Sequence, residues 1–193
     1  MTRACGDCQL CCKLLPVRSL AKLAGQRCSH QQHHKGCNVY AKLWKVAPEC
    51  KLWNCRWLGN DDADDLRRPD RSHYVVDIMP DFVTARDREG NPTQLEVVQI
   101  WCDPDYPDAH RDPALRAWLV RKNKVGLIRY GDVEAITIIP PAMMDTGQWF
   151  ERRSGLSQEK AHTVQQIAAA LGYLHGYVSI FQEDGTFEAC RMD

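Results

Sequence analysis

Eight cysteines crowd the first 55 residues, in the pattern Cys5-x2-Cys8-x2-Cys11-Cys12-x15-Cys28-x8-Cys37-x12-Cys50-x4-Cys55. A Cys-x2-Cys step lets two thiolates meet one metal without backbone strain. Here the step is repeated at once, which puts three or four sulfurs on one short turn. Cys50 and Cys55 form a further pair that can complete a shell from a distance. In an exported chain the same density would mean disulfides. Residues 1–15 have neither a continuous apolar core nor a small-residue cleavage site, so a cytoplasmic address is expected. The chemistry that follows is thiolate ligation of a metal. Free cysteine also serves as a small apolar core residue, but eight in a basic, polar segment do not suit that role.

Backbone form decides which of the adjacent Cys11 and Cys12 shares an ion with Cys5 and Cys8. In a helix, at about 100° per residue, Cys5, Cys8 and Cys12 fall on one side and Cys11 points away. In a loop wrapping a cluster, Cys5, Cys8 and Cys11 fit better, as in the repeated two-residue spacing of ferredoxins. Gly6 favours the loop. Adjacent cysteines rarely serve the same ion well, so the spare one is either a core residue or a ligand of a second site. Cys28 and Cys37 are candidate ligands too. His30, His33 and His34 lie between them and would suit zinc, but the segment reads as a solvated loop of Ser, Gln, His and Lys. Cys102 and Cys190 stand apart in strand-like contexts and read as core residues or chance thiols.

Residues 1–57 carry ten Lys and Arg against two acids, Asp7 and Glu49, and the rest of the chain carries fifteen against twenty-three. A basic half suggests nucleic acid. The cysteines give a better account, because a tetrathiolate site with Zn²⁺, or with a doubly positive cluster core, is left with a net charge of about −2 that nearby Lys and Arg offset. Nucleic-acid binding is therefore disfavoured.

The segments Cys5-Gly6-Asp7-Cys8-Gln9-Leu10-Cys11-Cys12, then Cys28, Gly36-Cys37-Asn38-Val39-Tyr40, and Pro48-Glu49-Cys50-Lys51-Leu52-Trp53-Asn54-Cys55 resemble the CxxCxxCC family of zinc- or iron-chelating domains, the YkgJ-type cysteine-cluster proteins. The order of all eight cysteines matches over residues 5–58. Members often have Gly where this chain has Gln9, and Arg-Pro where it has Ala47-Pro48. The resemblance implies a metal site, an iron–sulfur cluster or zinc, and carries over no general activity. A similar motif occurs in flagellin lysine methylases, but here only the cysteines support that likeness.

Three stretches must position the cysteines. Residues 1–58 form the cysteine-rich module, with short helices expected near 19–24 and 39–46. They hold too little apolar surface for an independent core, and a metal supplies the staple because ligation free energy becomes folding free energy. Residues 59–72 are polar and turn-prone and read as a loop or linker. Residues 73–193 read as an α+β unit. β-rich runs at 73–79, 82–86 and 95–101 suggest an antiparallel meander. A helix over 113–123 buries Leu115, Trp118 and Leu119, and strands follow over 126–130 and 133–139. A second helix is expected over 157–171 and a last strand over 177–182.

The acidic run 61–65 reads as solvated, since it lacks EF-hand spacing. Residues 101–108 are aromatic and acidic and either line a pocket or form a rigid turn. No phosphate-binding glycine loop, Gly-x-Ser-x-Gly elbow or His-Glu-x-x-His pair is present. The expected architecture is α+β, a metal-stapled cysteine-rich module packed on a small antiparallel-sheet unit with two helices. The expected function is metal binding through Cys5, Cys8, Cys11, Cys12, Cys28, Cys37, Cys50 and Cys55. A [4Fe-4S] cluster is favoured over zinc, because three evenly stepped cysteines let a loop offer three sulfurs to three irons. The role expected is that of an accessory metalloprotein with a protein partner and no membrane, with enzyme and structural roles as alternatives. No apolar run approaches the roughly 20 residues that span a bilayer.

Overall fold

The computed structural model describes residues 3–32, 35–86, 91–131, 135–154, 177–181 and 187–191. The N-terminal part has little regular structure. Helix α1, Leu10–Leu14, is followed by a 3-10 turn at Arg18–Leu20 and the two-residue strands β1, Gln31–Gln32, and β2, Gly36–Cys37. Three short helices come next: α2, Leu43–Val46; α3, Pro48–Leu52; and α4, Arg56–Gly59. Pro48 opens α3 at a position where a proline costs no hydrogen bond. The helix expected near 19–24 is only the 3-10 turn, while the one near 39–46 is present as a 3-10 turn running into α2.

The stretch expected as a loop carries a 3-10 turn at Asp61–Ala63 and helix α5, Pro69–Ser72. Ala63 and Leu66 lie in the main core, so two small apolar anchors dock an otherwise polar segment. The acidic run is paired rather than merely solvated. Asp62 meets Lys122 at 2.9 Å, Asp65 meets Arg121 at 2.5 Å, and Asp64 pairs with Arg3.

Strands β3, Tyr74–Arg86, and β4, Pro92–Cys102, form a long antiparallel pair. The two runs expected on either side of Pro80 are one strand, because β3 is an edge strand, where proline is tolerated. Helix α6, Pro113–Lys122, then crosses over to β5, Val125–Arg129, which lies parallel to β4. Strands β6, Ala135–Ile139, and β7, Phe150–Ser154, complete the sheet in antiparallel fashion, in the order β3-β4-β5-β6-β7. The antiparallel meander is thus corrected to a mixed sheet, since the α6 crossover returns the chain in the direction of β4. Strands β8, Tyr177–Phe181, and β9, Phe187–Arg191, pair as a separate hairpin whose second strand contains Cys190. The helix expected over 157–171 lies outside the described residues.

The architecture is α+β, with the core between the sheet and α6. Asp112 caps α6 by accepting from the amide of Ala114, and Asn123 ends it in a left-handed conformation. Leu115, Trp118 and Leu119 are buried as their helical spacing predicts, against Tyr74, Val98, Ile100, Ile128 and Ile138. Gly126 permits the closest approach in the sheet, for a Cβ there would meet Ile138 Cγ1 at 2.8 Å. Among the described residues no helix is long and apolar enough to cross a membrane.

Two contacts tie the N-terminal part to the sheet. Leu10 and Leu14 of α1 pack with Val75 of β3 and Trp101 of β4. Beside them Lys13 Nζ lies 2.5 Å from Asp103 Oδ1 and 2.6 Å from Asp105 Oδ2. The Lys13 and Asp103 side chains are 13% and 7% exposed, so this is a buried pair. Burial opposes the lysine's charge, but its two carboxylate partners hold its pKa above the usual value. Removing one member of such a pair strands the other. The Lys13→Met variant is expected to lose about 3–5 kcal/mol of stability in urea denaturation, while Lys13→Met with Asp103→Leu recovers much of that loss.

Candidate metal centre

Cys5 to Gln9 form a turn, not a helix. Gly6 takes a left-handed φ of 56°, and the Cys8 amide donates to the Cys5 carbonyl at 3.0 Å. The turn brings Cys8 down beside the α1 face, where it is buried with Leu10, Leu14, Val75 and Trp101. Cys11, on α1, and Cys55, just before α4, pack against the same cluster. The Cys5 thiol approaches the Cys8 carbonyl at 3.5 Å. Cys5, Cys8, Cys11 and Cys55 therefore form one gathering, in the loop form that Gly6 suggests.

An irregularity in β3 positions Cys55. Between Val76 and Pro80 the register with β4 shifts, so Asp77, Ile78 and Met79 stand where β4 supplies only Gln99. The freed backbone and side chain of Asp77 receive the cysteine segment. Cys55 makes an antiparallel bridge to Asp77, and Trp53 Nε1 donates to Asp77 Oδ1 at 3.0 Å. Arg56 donates to the carbonyls of Asp77 and Ile78 at 3.2 and 3.0 Å.

The other four cysteines gather on the far side of α1. The Cys28 amide donates to the Cys12 carbonyl at 3.0 Å, and the Gln31 amide donates to the Cys28 carbonyl at 3.1 Å. Gln31 pairs with Cys37 across the β1-β2 hairpin. Cys37 packs against Val17, Leu43 and Ala47, and the Cys50 amide donates to the Ala47 carbonyl at 3.0 Å. Gln9 braces the hairpin, donating from Nε2 to the carbonyls of Gln32 at 2.5 Å and Gly36 at 3.1 Å while accepting from Gln31. Cys50 and Cys55, a pair by spacing, thus fall in different gatherings. Of the nearby histidines, His30 is half-buried, and His33 and His34 lie outside the described residues.

The electrostatics follow the same division. A hydrogen bond with the Cys8 thiol lowers the pKa of Cys5 and raises that of Cys8. A hydrogen bond with Cys12 and deep burial push Cys11 well up, with Cys5 and Cys8 as further charged neighbours. Cys12 is lowered to about 7, first by the Cys11 thiol and then by Lys22. Burial raises Cys37 and takes Cys50 to about 11, and Cys12 is the strongest charged neighbour of both. Burial also raises Cys55, whose charged neighbour is Cys8. These thiols resist ionising together, a cost that a bound cation removes. Lys22 lies among the second gathering, 8% exposed, and donates to the carbonyls of Lys13, Leu15 and Leu23. Burial lowers its pKa, opposed by Cys28, Cys12, Cys11 and Cys50.

The eight N-terminal cysteines and Cys102 are free thiols. They are gathered rather than converged, since among the described residues no three Cys, His, Asp or Glu side chains stand around one point in ligand geometry. The donor set nevertheless suits a thiophilic metal: eight sulfurs in a braced backbone, with a buried ammonium beside them. Cys102, by contrast, is a core thiol, with its pKa raised by burial. Gln9 and Lys22 were not singled out by sequence reasoning, because their roles depend on neighbours distant in the chain.

Comparison of the chain with protein-family models, with curated proteins and with solved structures finds no match.

Two other features carry titratable groups. An open cleft of about 540 Å³ is lined by Arg67, Arg71, Tyr106 and Arg111, with His73 stacked on Tyr106 at 3.5 Å. Residues 105–108 therefore line a cleft, one of the two roles expected for that segment. Near it, His110 is 2% exposed. Its Nδ1 lies 2.9 Å from the Pro107 carbonyl and 2.7 Å from the Tyr130 hydroxyl, while Nε2 has no hydrogen-bond partner and faces Glu151 at 3.9 Å. Burial lowers the pKa of His110, with Arg111 and Arg116 adding to that and Glu151 opposing it. The unfolded chain therefore takes up a proton, from about pH 6.5 downward, that the folded chain refuses. Stability is expected to fall as pH drops through that window, by up to about 1.4 kcal/mol per pH unit from this residue. The check is denaturation at several pH values, with His110→Gln giving the shallower slope.

Proposed function

We propose that this protein is a thiolate metal-binding protein of the CxxCxxCC kind, with Cys5, Cys8, Cys11 and Cys55 holding a [4Fe-4S] cluster. The carrying observation is the turn at Cys5–Gln9, whose left-handed Gly6 wraps three stepped cysteines together and meets Cys55 from the β3 irregularity. The resemblance of residues 5–58 to the YkgJ-type proteins supports the same reading. When bound, the cluster supplies one-electron chemistry or a rigid staple. The chain's own residues supply the setting: Val75, Leu14 and Trp101 keep water from one side, and Arg68, 2.9 Å from Asp7, places positive charge near Cys5. Free thiols fit a reducing, cytoplasmic address.

The role we assign is that of an accessory metalloprotein that docks on a partner protein. Tyr40, Trp44 and Leu52 are each more than 60% exposed around α2 and α3, beside Cys37 and Cys50. Aromatic side chains are enriched at protein interfaces.

Protein purified without oxygen should be brown and carry about four iron and four sulfide per chain. Replacing Cys5, Cys8 or Cys55 with Ser should each lower bound iron sharply. Fewer than about one iron per chain would reject the cluster, and full iron content in two of these variants would reject the ligand assignment.

A further inference from the structure

We infer that the cysteines build two metal sites, not one, and that Cys12, Cys28, Cys37 and Cys50 hold a single divalent thiophilic ion of the zinc class. The inference rests on the reading that these thiols bind metal, but not on the identity of the centre at Cys5, Cys8, Cys11 and Cys55.

The backbone sets the division. Cys11 and Cys12 are consecutive on α1, and successive helical residues leave the axis about 100° apart. Cys11 joins the cluster against Val75 and Trp101, on the sheet side. Cys12 stands at the other gathering, where its carbonyl receives the Cys28 amide. The Cys28 carbonyl receives Gln31, and Gln31 stands opposite Cys37 in the β1-β2 register, so the hairpin ties three of the four cysteines together. Ala47 connects the fourth: it belongs to the cluster that Cys37 packs against, and its carbonyl accepts from the Cys50 amide. The two sites adjoin at the consecutive residues Cys11 and Cys12.

The short backbone links among these four cysteines favour one ion over a cubane. Cys28 bonds directly to Cys12, and a closed tetrahedral Cys₄ shell is the ordinary form of structural zinc. The four thiols close on the ion by rotation about χ1, each losing its proton. A Zn²⁺ tetrathiolate carries a net charge of about −2, which the buried Lys22 ammonium partly offsets.

The test uses the full chain, purified without oxygen. Its iron, sulfide and zinc are measured, and its thiols are alkylated under native conditions and mapped by mass spectrometry. The expected result is about one zinc in addition to the iron centre, with all eight N-terminal cysteines protected. A mild zinc chelator should then expose Cys12, Cys28, Cys37 and Cys50 to alkylation while the iron stays bound. Cys28→Ser and Cys37→Ser should lose the zinc and keep the iron, and Cys5→Ser and Cys55→Ser should do the reverse. Should the variants fail to fold, the alkylation pattern of the unaltered chain decides alone. One metal centre lost equally from both sets of variants, or four reactive cysteines in the fully loaded chain, overturns the second site while leaving metal binding intact. Iron and sulfide at twice the single-cluster amount, with no zinc, overturns the choice of ion. Absence of any metal overturns both this inference and the function proposed above.

Discussion

The buried pairing of Lys13 with Asp103 is the contact from which the N-terminal half takes its orientation. Lys13 lies between Cys12 and Leu14 on a helix of only five residues. A helix that short has no stability of its own, so its direction is set by what its side chains reach. Leu14 reaches Val75 and Trp101, and Lys13 reaches the carboxylate just past the end of β4. The Asp103 amide in turn donates to the His73 carbonyl, which extends the β3-β4 pairing by one step. With those two side chains anchored, the rotation of α1 is determined. Cys11 must then face the sheet and Cys12 the hairpin of β1 and β2.

The same contact gives the uneven charge of the chain a structural use. The basic first 57 residues meet acids of the remainder through Arg3 to Asp64 and Lys13 to Asp103 and Asp105, while Arg68 reaches back to Asp7. Most of these pairs are partly exposed and individually weak. Together they select one docking orientation over others, which is what complementary charge does best. The irregularity in β3 adds direction on the opposite side, since its unpaired backbone receives Cys55 and Arg56. The cysteine-rich part is thus held at both flanks by the sheet, and it shares a cluster of buried side chains with it.

Much of this was legible where the local pattern and the tertiary role agree. The helix over 113–122 and the strands that follow it were readable because Leu115, Trp118 and Leu119 recur at helical spacing and β-branched runs flank Gly131. Strand β7 was missed because its Glu151, Arg152 and Arg153 are exposed on the far edge of the sheet and carry no apolar alternation. The parallel pairing of β4 with β5 was not legible, for nothing local distinguishes a parallel from an antiparallel return. At the site, residue type and spacing marked all eight cysteines. Spacing could not divide them, because Cys50 and Cys55 are separated by the chain's passage from α3 to the β3 irregularity. Gln9 looks like any polar residue until the hairpin it braces is in view.

Charge accounting explains why so many thiols sit in one small region. Arg3 and Lys13 are engaged by carboxylates and cannot also fully neutralise thiolates. Lys22 is the buried exception, surrounded by carbonyls and by Cys12, Cys28 and Cys50. One ammonium cannot stabilise four thiolates, and burial and mutual repulsion raise Cys37 and Cys50. A divalent ion changes that balance at a stroke, because it adds two positive charges where the sulfurs are closest. On the metal-binding reading proposed above, the fold that gathers the thiols would reach its full stability only when a cation joined Lys22, and metal binding and folding of this half would be one equilibrium.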